Sequence, residues 1–306
     1  MSELYLKLPA TSANLGPGFD TLALALDHSL EVRAKEAESF SIRATGRSAE
    51  ICGALDRNLL LDVYKRTLAA HGKQLQPLAL EVNNGFPIGM GLGSSAAARL
   101  AGLALAAHFG KLDWDRDRIL AEATQLEGHP DNAAACWLGG FVAGCWDGKK
   151  LQAVTFAPPA EWRALVVIPD KPLATTASRA VLPASYDRAD VVANLQRVAV
   201  LTAAFATGRG DLVAEAMRDR MHQPYRSKVA PLLPRLLPLS GTEGVLGVAL
   251  SGAGPAVLLL VASEEEISGV EKRVQAAVAE LGPVEILRCN LARQAAEMTV
   301  VLLPQS

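Results

Sequence analysis

The chain has 306 residues, enough for two ordinary domains or one large one. Lys and Arg number 30 against 32 Asp and Glu, a formal net charge of −2, so the basic excess of a non-specific nucleic-acid binder is missing. Hydrophobic residues make up 50% and aromatics 5%, so the core is expected to rest mainly on Ala, Leu and Val. The four cysteines, Cys52, Cys136, Cys145 and Cys289, form no C-x-x-C pair or His-Cys cluster suggestive of zinc, and read as reduced thiols in or near the core. The amino end, MSELYLKLPA, has no basic patch followed by an apolar run and so does not read as a signal peptide. The longest apolar stretch, GVALSGAGPAVLLLVA, is interrupted by Ser, Gly and Pro and is short for a bilayer span. A soluble cytoplasmic protein with no membrane and no nucleic-acid partner is the expectation.

In chain order, LYLKLPA predicts a strand and SLEVRAKEAESFSIRATG two strands joined by a polar turn. NLLLDVYKRTLAAHG has apolar residues at helical spacing and stops at Gly72. LALEV predicts a strand. It leads into FPIGMGLGSSAAARLAG, residues 86–102, where three glycines alternate with other residues ahead of an alanine-rich run. Ser94 or Ser95 is expected to cap the helix that runs on through AAARLAGLALAAHFG. WDRDRILAEATQLEG predicts a second amphipathic helix, and GGFVAGCWDGKKLQAVTF a hairpin turning at Asp147 and Gly148. The proline-rich APPAEW sets a domain boundary near residue 158, dividing the chain into residues 1–157 and 158–306.

Beyond that boundary RALVVIP predicts a strand, and ADVVANLQRVAVLTAAFATG and DLVAEAMRDRMH predict helices. GVLGVALSG and AVLLLVA are two apolar runs around a Ser-Gly-Ala-Gly-Pro turn. EEEISGVEKRVQAAVAELG predicts a helix and VEILRCNL a closing strand. The mixed order implies α+β sheets with helices on one face.

The glycine stretch is the sharpest chemical signal. Gly89, Gly91 and Gly93 leave backbone N–H groups free to approach a ligand. The helix that follows presents unpaired N–H groups and roughly +0.5 of a charge. Together they form an anion site, most simply for phosphates. Ser94 and Ser95 add hydroxyls that can reach a phosphate oxygen or a magnesium ion. The Walker pattern does not fit, because no lysine follows Gly93. The dinucleotide fingerprint G-x-G-x-x-G does not fit either, because the third glycine here comes one residue early. Spacing alone leaves open a tight strand-to-helix turn with no ligand.

The full string PIGMGLGSSAA resembles the phosphate-binding motif of the GHMP kinases, the family of galactokinase, homoserine, mevalonate and phosphomevalonate kinases. LSGAGPAVLLL, residues 250–260, is similar to the family's third, glycine-rich motif. LPATSANLGPGFDTLALAL is similar to its first motif in the homoserine kinase form, and EGHPDNAAACWLGG, TTASRAVLP and DRMHQPYR also resemble that branch. The resemblance implies the two-domain α+β GHMP kinase fold: a ribosomal-protein-like α/β amino-terminal domain that binds ATP, and a ferredoxin-like carboxy-terminal domain. It implies transfer of the ATP γ-phosphate to the side-chain hydroxyl of L-homoserine, with Mg2+, and leaves room for a homodimer.

The resemblance also assigns residues. Pro87, Ile88, Gly89, Met90, Gly91, Leu92, Gly93, Ser94, Ser95, Ala96 and Ala97 would hold the ATP phosphates, and Asn58, which opens the NLLLDVYKR helix, would lie near the adenine. Ser95 and Glu127 would bind magnesium, which takes oxygen ligands. Glu127, Asp131 and Asn132 would form the catalytic group. Asn14, Asp20, His129, Thr175, Arg179 and Arg226 would bind homoserine, the two arginines taking its carboxylate. Asp131 is open between a base for the hydroxyl proton and a ligand for the substrate ammonium. Taken alone, it would read as a helix cap, Glu127 as a surface carboxylate and each arginine as a solvated side chain. The lysine that some relatives carry in the first motif is missing, with Ser12 near its place. His28, His71, His108 and His222 receive no role. Gly91→Val should block the phosphates while leaving the chain folded. The alternatives are a kinase for another small hydroxy acid, such as a mevalonate-like substrate, and a ligand-binding regulator that has lost turnover.

Overall fold

The structure, a computed structural model, describes residues 2–302, without the side chains of Thr175 and Leu302. Strand β1 (Ser2–Ala13) alternates its apolar residues, so Leu4, Leu6 and Leu8 share one buried face. It runs antiparallel to β2 (Leu22–Glu36), and the register shifts between Pro9 and Ala10, where proline has no N–H to give the ladder. β3 (Ser41–Gly46) lies parallel to β4 (Leu78–Asn84). The crossover that a parallel pair requires carries helices α1 (Ala49–Cys52) and α2 (Leu59–Ala70). Next come α3 (Ser94–Phe109), α4 (Arg116–Glu127) and α5 (Asp131–Leu138), and then the hairpin β5 (Phe141–Trp146) and β6 (Leu151–Phe156). At the hairpin turn the Asp147 carboxylate accepts from the Lys149 and Lys150 N–H groups. α3 is buried nearly all round, and its small residues permit that: a Cβ at Gly102 would come to 2.5 Å from the Leu60 carbonyl oxygen of α2.

The second half begins with β7 (Arg163–Pro169) and the helices α6 (Thr175–Ala180), α7 (Arg188–Thr207), α8 (Gly210–Ala216), α9 (Gln223–Arg226) and α10 (Leu232–Leu236). β8 (Val245–Leu250), β9 (Val257–Val261), α11 (Ile267–Val278) and β10 (Val284–Asn290) follow. The four strands form an antiparallel sheet in the order β10-β7-β9-β8, the β-α-β-β-α-β pattern of a ferredoxin-like unit. Both faces of this sheet are covered. Ala164, Val166, Leu258 and Leu260 join the core shared with the first half, while Leu165, Val167, Val257 and Leu259 join a second core under α10 and α11.

Four features depart from the sequence reading. A further strand, β11 (Glu297–Leu302), pairs with β1, so the seven-stranded sheet draws strands from both sides of residue 158. α8 ends at Ala216 instead of running on, because the buried Asp219 carboxylate collects the N–H groups of Met221, His222 and Gln223 into a turn. No serine caps α3: Gly93 does so in a left-handed conformation, φ 73°. Cys136 and Cys289 are buried and Cys52 is partly so, but Cys145 is exposed on β5. Among the described residues α7 is the one helix long and apolar enough to cross a bilayer by composition; it packs Leu201, Ala204 and Phe205 into the core.

Candidate active site

The glycine loop, residues 87–93, lies between the end of β1 and the turn joining β8 to β9. Thr11 N–H donates to Leu92 O at 3.1 Å, and Ala256 N–H to Met90 O at 3.3 Å. The Ser251 hydroxyl donates to Gly91 O at 2.7 Å and therefore accepts from the Ser12 hydroxyl, 2.9 Å away. Leu92 is buried, Met90 packs against the core, and Ile88 faces the neighbouring apolar cavity. Gly89, Gly91 and Gly93 all have positive φ (76°, 87° and 73°). The first N–H groups of α3, after Gly93, have no partner within the helix, and Ser94, Ser95 and Ala96 line the polar cavity in front of it, with Ala97 buried behind.

Gly91 holds more than the ligand space. A Cβ there would collide with the Ser251 carbonyl oxygen and come to 3.0 Å from Gly254 O. The expectation that Gly91→Val leaves the chain folded is therefore corrected, because the loop and the β8–β9 turn touch through bare backbone. Gly91→Ala should lower stability by about 2 kcal/mol or more and weaken ATP binding together. Thermal melting and nucleotide titration of the same sample check this. An unchanged Tm would contradict the packing argument.

Two cavities meet at Gly89, Ser94 and Ser95. The first, about 370 Å³, is walled by Leu30, Ile42, Ile51, Leu80, Val82 and Ile88. Asn58 borders it as the cap of α2: its Oδ1 accepts from Leu61 N–H, and its Nδ2 donates to Cys52 O and Ala54 O. Its polar atoms are thus already committed.

The second cavity, about 360 Å³, is polar. It is lined by Asn14, Asp20, Ser95, Arg99, Glu127, His129, Asp131, Asn132, Arg179 and Arg226, besides the loop. Asn14, Leu15 and Asp20 hold positive φ (70°, 46° and 56°), a strained run such as functional loops retain. Asn14 Nδ2 donates to Gly252 O at 2.8 Å and its Oδ1 accepts from Asp20 N–H, tying the first motif to the third. His129 Nδ1 lies 2.6 Å from Asp131 Oδ1, which also accepts from Asn132 N–H at 2.7 Å. Burial alone would push the His129 imidazole down, but the hydrogen bond and charge of buried Asp131 outweigh it and hold it above its ordinary value. Asn132 Oδ1 accepts from the Thr11 hydroxyl at 2.7 Å.

The two arginines differ sharply. Arg179 forms a bidentate pair with Asp20, Nη1–Oδ2 3.1 Å and Nη2–Oδ1 2.6 Å, both side chains half-buried. Arg226 is 1% exposed and bonds only neutral acceptors: Ser178 O, Gly252 O and His222 Nδ1, at 3.1–3.3 Å. Its Nη2 has no partner among the described residues. Burial first, and then the Arg179 charge, push its guanidinium down to about 10. A buried cation that lines a cavity with no carboxylate bonded to it is arranged to receive an anion. Thr175 opens α6, and its side chain lies outside the described residues.

Ser95 Oγ and Glu127 Oε1 converge on a single atom, Nη1 of Arg99. A hydroxyl and a carboxylate aimed at one point are suited to a hard cation, and a positive charge already stands there. Arg99 gave no sequence signal beyond its helical spacing from Ser95. Other site residues missed in the sequence are Thr11, Phe19, Ser251 and His222. Phe19 has both arginines over its ring, Arg179 Cζ at 5.4 Å and Arg226 Cζ at 5.2 Å. The fold also gathers Asp27, His28 and Cys289, but both Asp27 oxygens accept from Asn290, and His28 Nε2 bonds Arg288 O.

A glycine loop at a helix start, a ferredoxin-like second unit and a polar pocket between them define a class. The chain belongs to the GHMP kinase family: the family descriptions "GHMP kinases N terminal domain" and "GHMP kinases C terminal" match residues 58–140 and 201–280. Within the family it is similar to curated homoserine kinases. That of Solibacter usitatus is 46% identical over 84% of this chain and 85% of its own. That of Moorella thermoacetica is 38% identical over 90% and 96%. The crystal structure of homoserine kinase from Cytophaga hutchinsonii superposes with a TM-score of 0.79, at 25% identity over 97% of both chains. Mevalonate kinase from L. major, at 16% identity and a TM-score of 0.70 over 94% of this chain and 96% of its own, shares the fold.

Proposed function

We propose that this enzyme transfers the γ-phosphoryl group of ATP to the side-chain hydroxyl of L-homoserine, giving O-phospho-L-homoserine for threonine biosynthesis. The observation that carries the reading is Arg226, a buried guanidinium with no anionic partner in a polar cavity that adjoins a phosphate-type loop. The base of ATP takes the apolar cavity and its phosphates lie along Gly89, Gly91 and Gly93, with the first turn of α3 donating N–H groups. The γ-phosphate then faces the polar cavity. Free ATP and a free amino acid as reactants support a cytoplasmic location.

The acceptor is a zwitterion, and the pocket suits one. Its carboxylate goes to Arg226 and Arg179, and its ammonium to Asp20, with Asn14 and Asp131 beside it. Without substrate Asp20 and Arg179 neutralise each other. A zwitterion offers each of them an opposite charge, so the pair opens at little electrostatic cost. A hydroxy acid takes Arg179 and leaves Asp20 with no cation. The hydroxyl oxygen bonds to the γ-phosphorus as the bond to the bridging oxygen breaks, ADP leaves, and the hydroxyl proton departs to water. Such a transfer is governed by positioning and charge neutralisation. Ser95 and Glu127 would hold Mg2+, which would supply neutralisation of the phosphate charge.

Asp131 tests the division of labour. Its Oδ1 already accepts from His129 and Asn132, and we assign its charge to the ammonium. Asp131→Asn should raise the homoserine KM by about 10-fold or more, with a smaller fall in kcat. Loss of kcat at unchanged KM, together with loss of the acidic limb of the kcat profile, would instead assign it as the base. The function itself is tested by 31P NMR of the reaction mixture. One phosphomonoester should form per ADP with L-homoserine as sole acceptor; ATP hydrolysis without it would overturn the reading.

A further inference from the structure

His222 lies outside the residues that touch a substrate, yet it is fully buried against one that does. Its Nε2 is 2.7 Å from Gly16 O, and its Nδ1 is 3.1 Å from Arg226 Nη1. A carbonyl only accepts, so Nε2 carries the hydrogen. A guanidinium only donates, so Nδ1 offers a lone pair. The two neighbours therefore fix one neutral tautomer. Burial chiefly, with the Arg226 charge, pushes the imidazole down and keeps it neutral against the opposing pull of Asp219, Gly16 O and Asp20. Asp219 Oδ2 is 3.6 Å from Nε2 and accepts the His222 N–H at 2.9 Å, so it fixes the backbone that carries the ring. The Phe19 ring, 5.2 Å away between centroids, covers the imidazole on the side where it also meets both arginines.

Gly16 belongs to the strained first motif: a Cβ there would collide with Met217 O, and its φ is 83°. Arg226 belongs to the second half of the chain. His222 thus joins the first motif to the arginine through one ring. Of the three acceptors that orient Arg226, it is the only side chain; the others are the carbonyls of Ser178 and Gly252. We propose that His222 is the positioning residue that holds the Arg226 fork toward the acceptor carboxylate, its Nε2–H anchored on Gly16 O and its Nδ1 receiving Arg226 Nη1. The proposal rests on the carboxylate reading of Arg226 given above. It adds a specificity determinant that never contacts the acceptor.

Two near-isosteric variants separate the bonds. His222→Asn keeps an acceptor near the place of Nδ1 and gives up the link to Gly16. His222→Gln keeps a donor near Nε2 and gives up the acceptor for Arg226. The homoserine KM should rise by about 10-fold or more in His222→Gln, since a hydrogen bond to a charged group is lost. It should rise much less in His222→Asn, and the ATP KM should stay constant in both. In an Arg226→Ala background the added effect of His222→Gln on the homoserine KM should vanish, because the histidine acts through that arginine. Equal KM changes in the two variants, or an effect that persists without Arg226, would overturn the proposal while leaving the carboxylate reading standing. A normal homoserine KM in Arg226→Ala alone would remove the carboxylate reading and the proposal with it. Should either histidine variant fail to fold, the unaltered protein decides: long-range 1H–15N NMR of the His222 imidazole should show the neutral Nε2–H tautomer, with the Nδ1 signal shifting on addition of L-homoserine and not of ATP; an Nδ1–H tautomer, or no response to homoserine, would overturn the proposal.

Discussion

Arg226→Met should raise the homoserine KM by about 30-fold to several thousand-fold while the ATP KM stays constant. The range follows from the loss of one buried charge-assisted pair, about 2–5 kcal/mol, at 1.4 kcal/mol per decade. The same variant should cost the substrate-free protein little stability, because relief of the buried charge offsets the three hydrogen bonds given up. Below about pH 10 the guanidinium is charged in the folded and unfolded chain alike, so at pH 7 the folded state carries the whole cost of burying it. That cost fades only as pH rises through the folded value. Its size is about 3 kcal/mol on the linkage scale, reduced by the three hydrogen bonds that methionine gives up. Kinetics and thermal melting at pH 7 check both halves. A lower Tm with a normal KM would show Arg226 to be a structural residue.

Glu127→Gln is expected to cut kcat on the order of 100-fold or more, with the fold intact and the homoserine KM little changed. The side chain keeps its shape and loses the charge that, with Ser95, meets Arg99 Nη1. On the proposed magnesium role, Arg99 and a divalent cation would compete for that point. Glu127→Gln should therefore raise the Mg2+ concentration needed for half-maximal ATP binding, and Arg99→Met should lower it. Turnover near wild type at ordinary Mg2+ would contradict the role given to Glu127. An unchanged Mg2+ requirement in Arg99→Met would contradict the competition.

The sequence displayed the loop better than its surroundings. Three alternating glycines before an alanine run are a local pattern, and local patterns depend on few residues. The faces of β7 and β9 were likewise legible as apolar runs. Two other features were not. β11 is a short stretch whose place is set by an edge of β1 nearly 300 residues away in sequence, which no periodicity reports. The ends of α3 and α8 were decided by tertiary demands, Gly93 packing on Thr11 and Asp219 gathering three N–H groups. In the site, motif resemblance selected Asn14, Asp20, His129, Asp131, Arg179 and Arg226, and the fold sets them around one cavity. It did not reveal that Arg179 is paired and Arg226 is not, since that difference lies in burial and partners. Arg99, Phe19 and His222 were silent for a similar reason: each depends on a contact that only the fold makes, Arg99 with Glu127, Phe19 with both arginines and His222 with Gly16.

The claim that the pocket is built for an amino acid, and not merely for a hydroxylated carboxylate, is tested most directly by one comparison. Initial rates of ADP release should be measured for the unaltered enzyme with L-homoserine and with 4-hydroxybutyrate, which differ only in the amino group. Taking Arg179 from Asp20 without supplying a cation leaves that carboxylate unpaired, so kcat/KM for 4-hydroxybutyrate should be lower by at least about 30-fold. Equal kcat/KM for the two acceptors would contradict the account of the acceptor pocket.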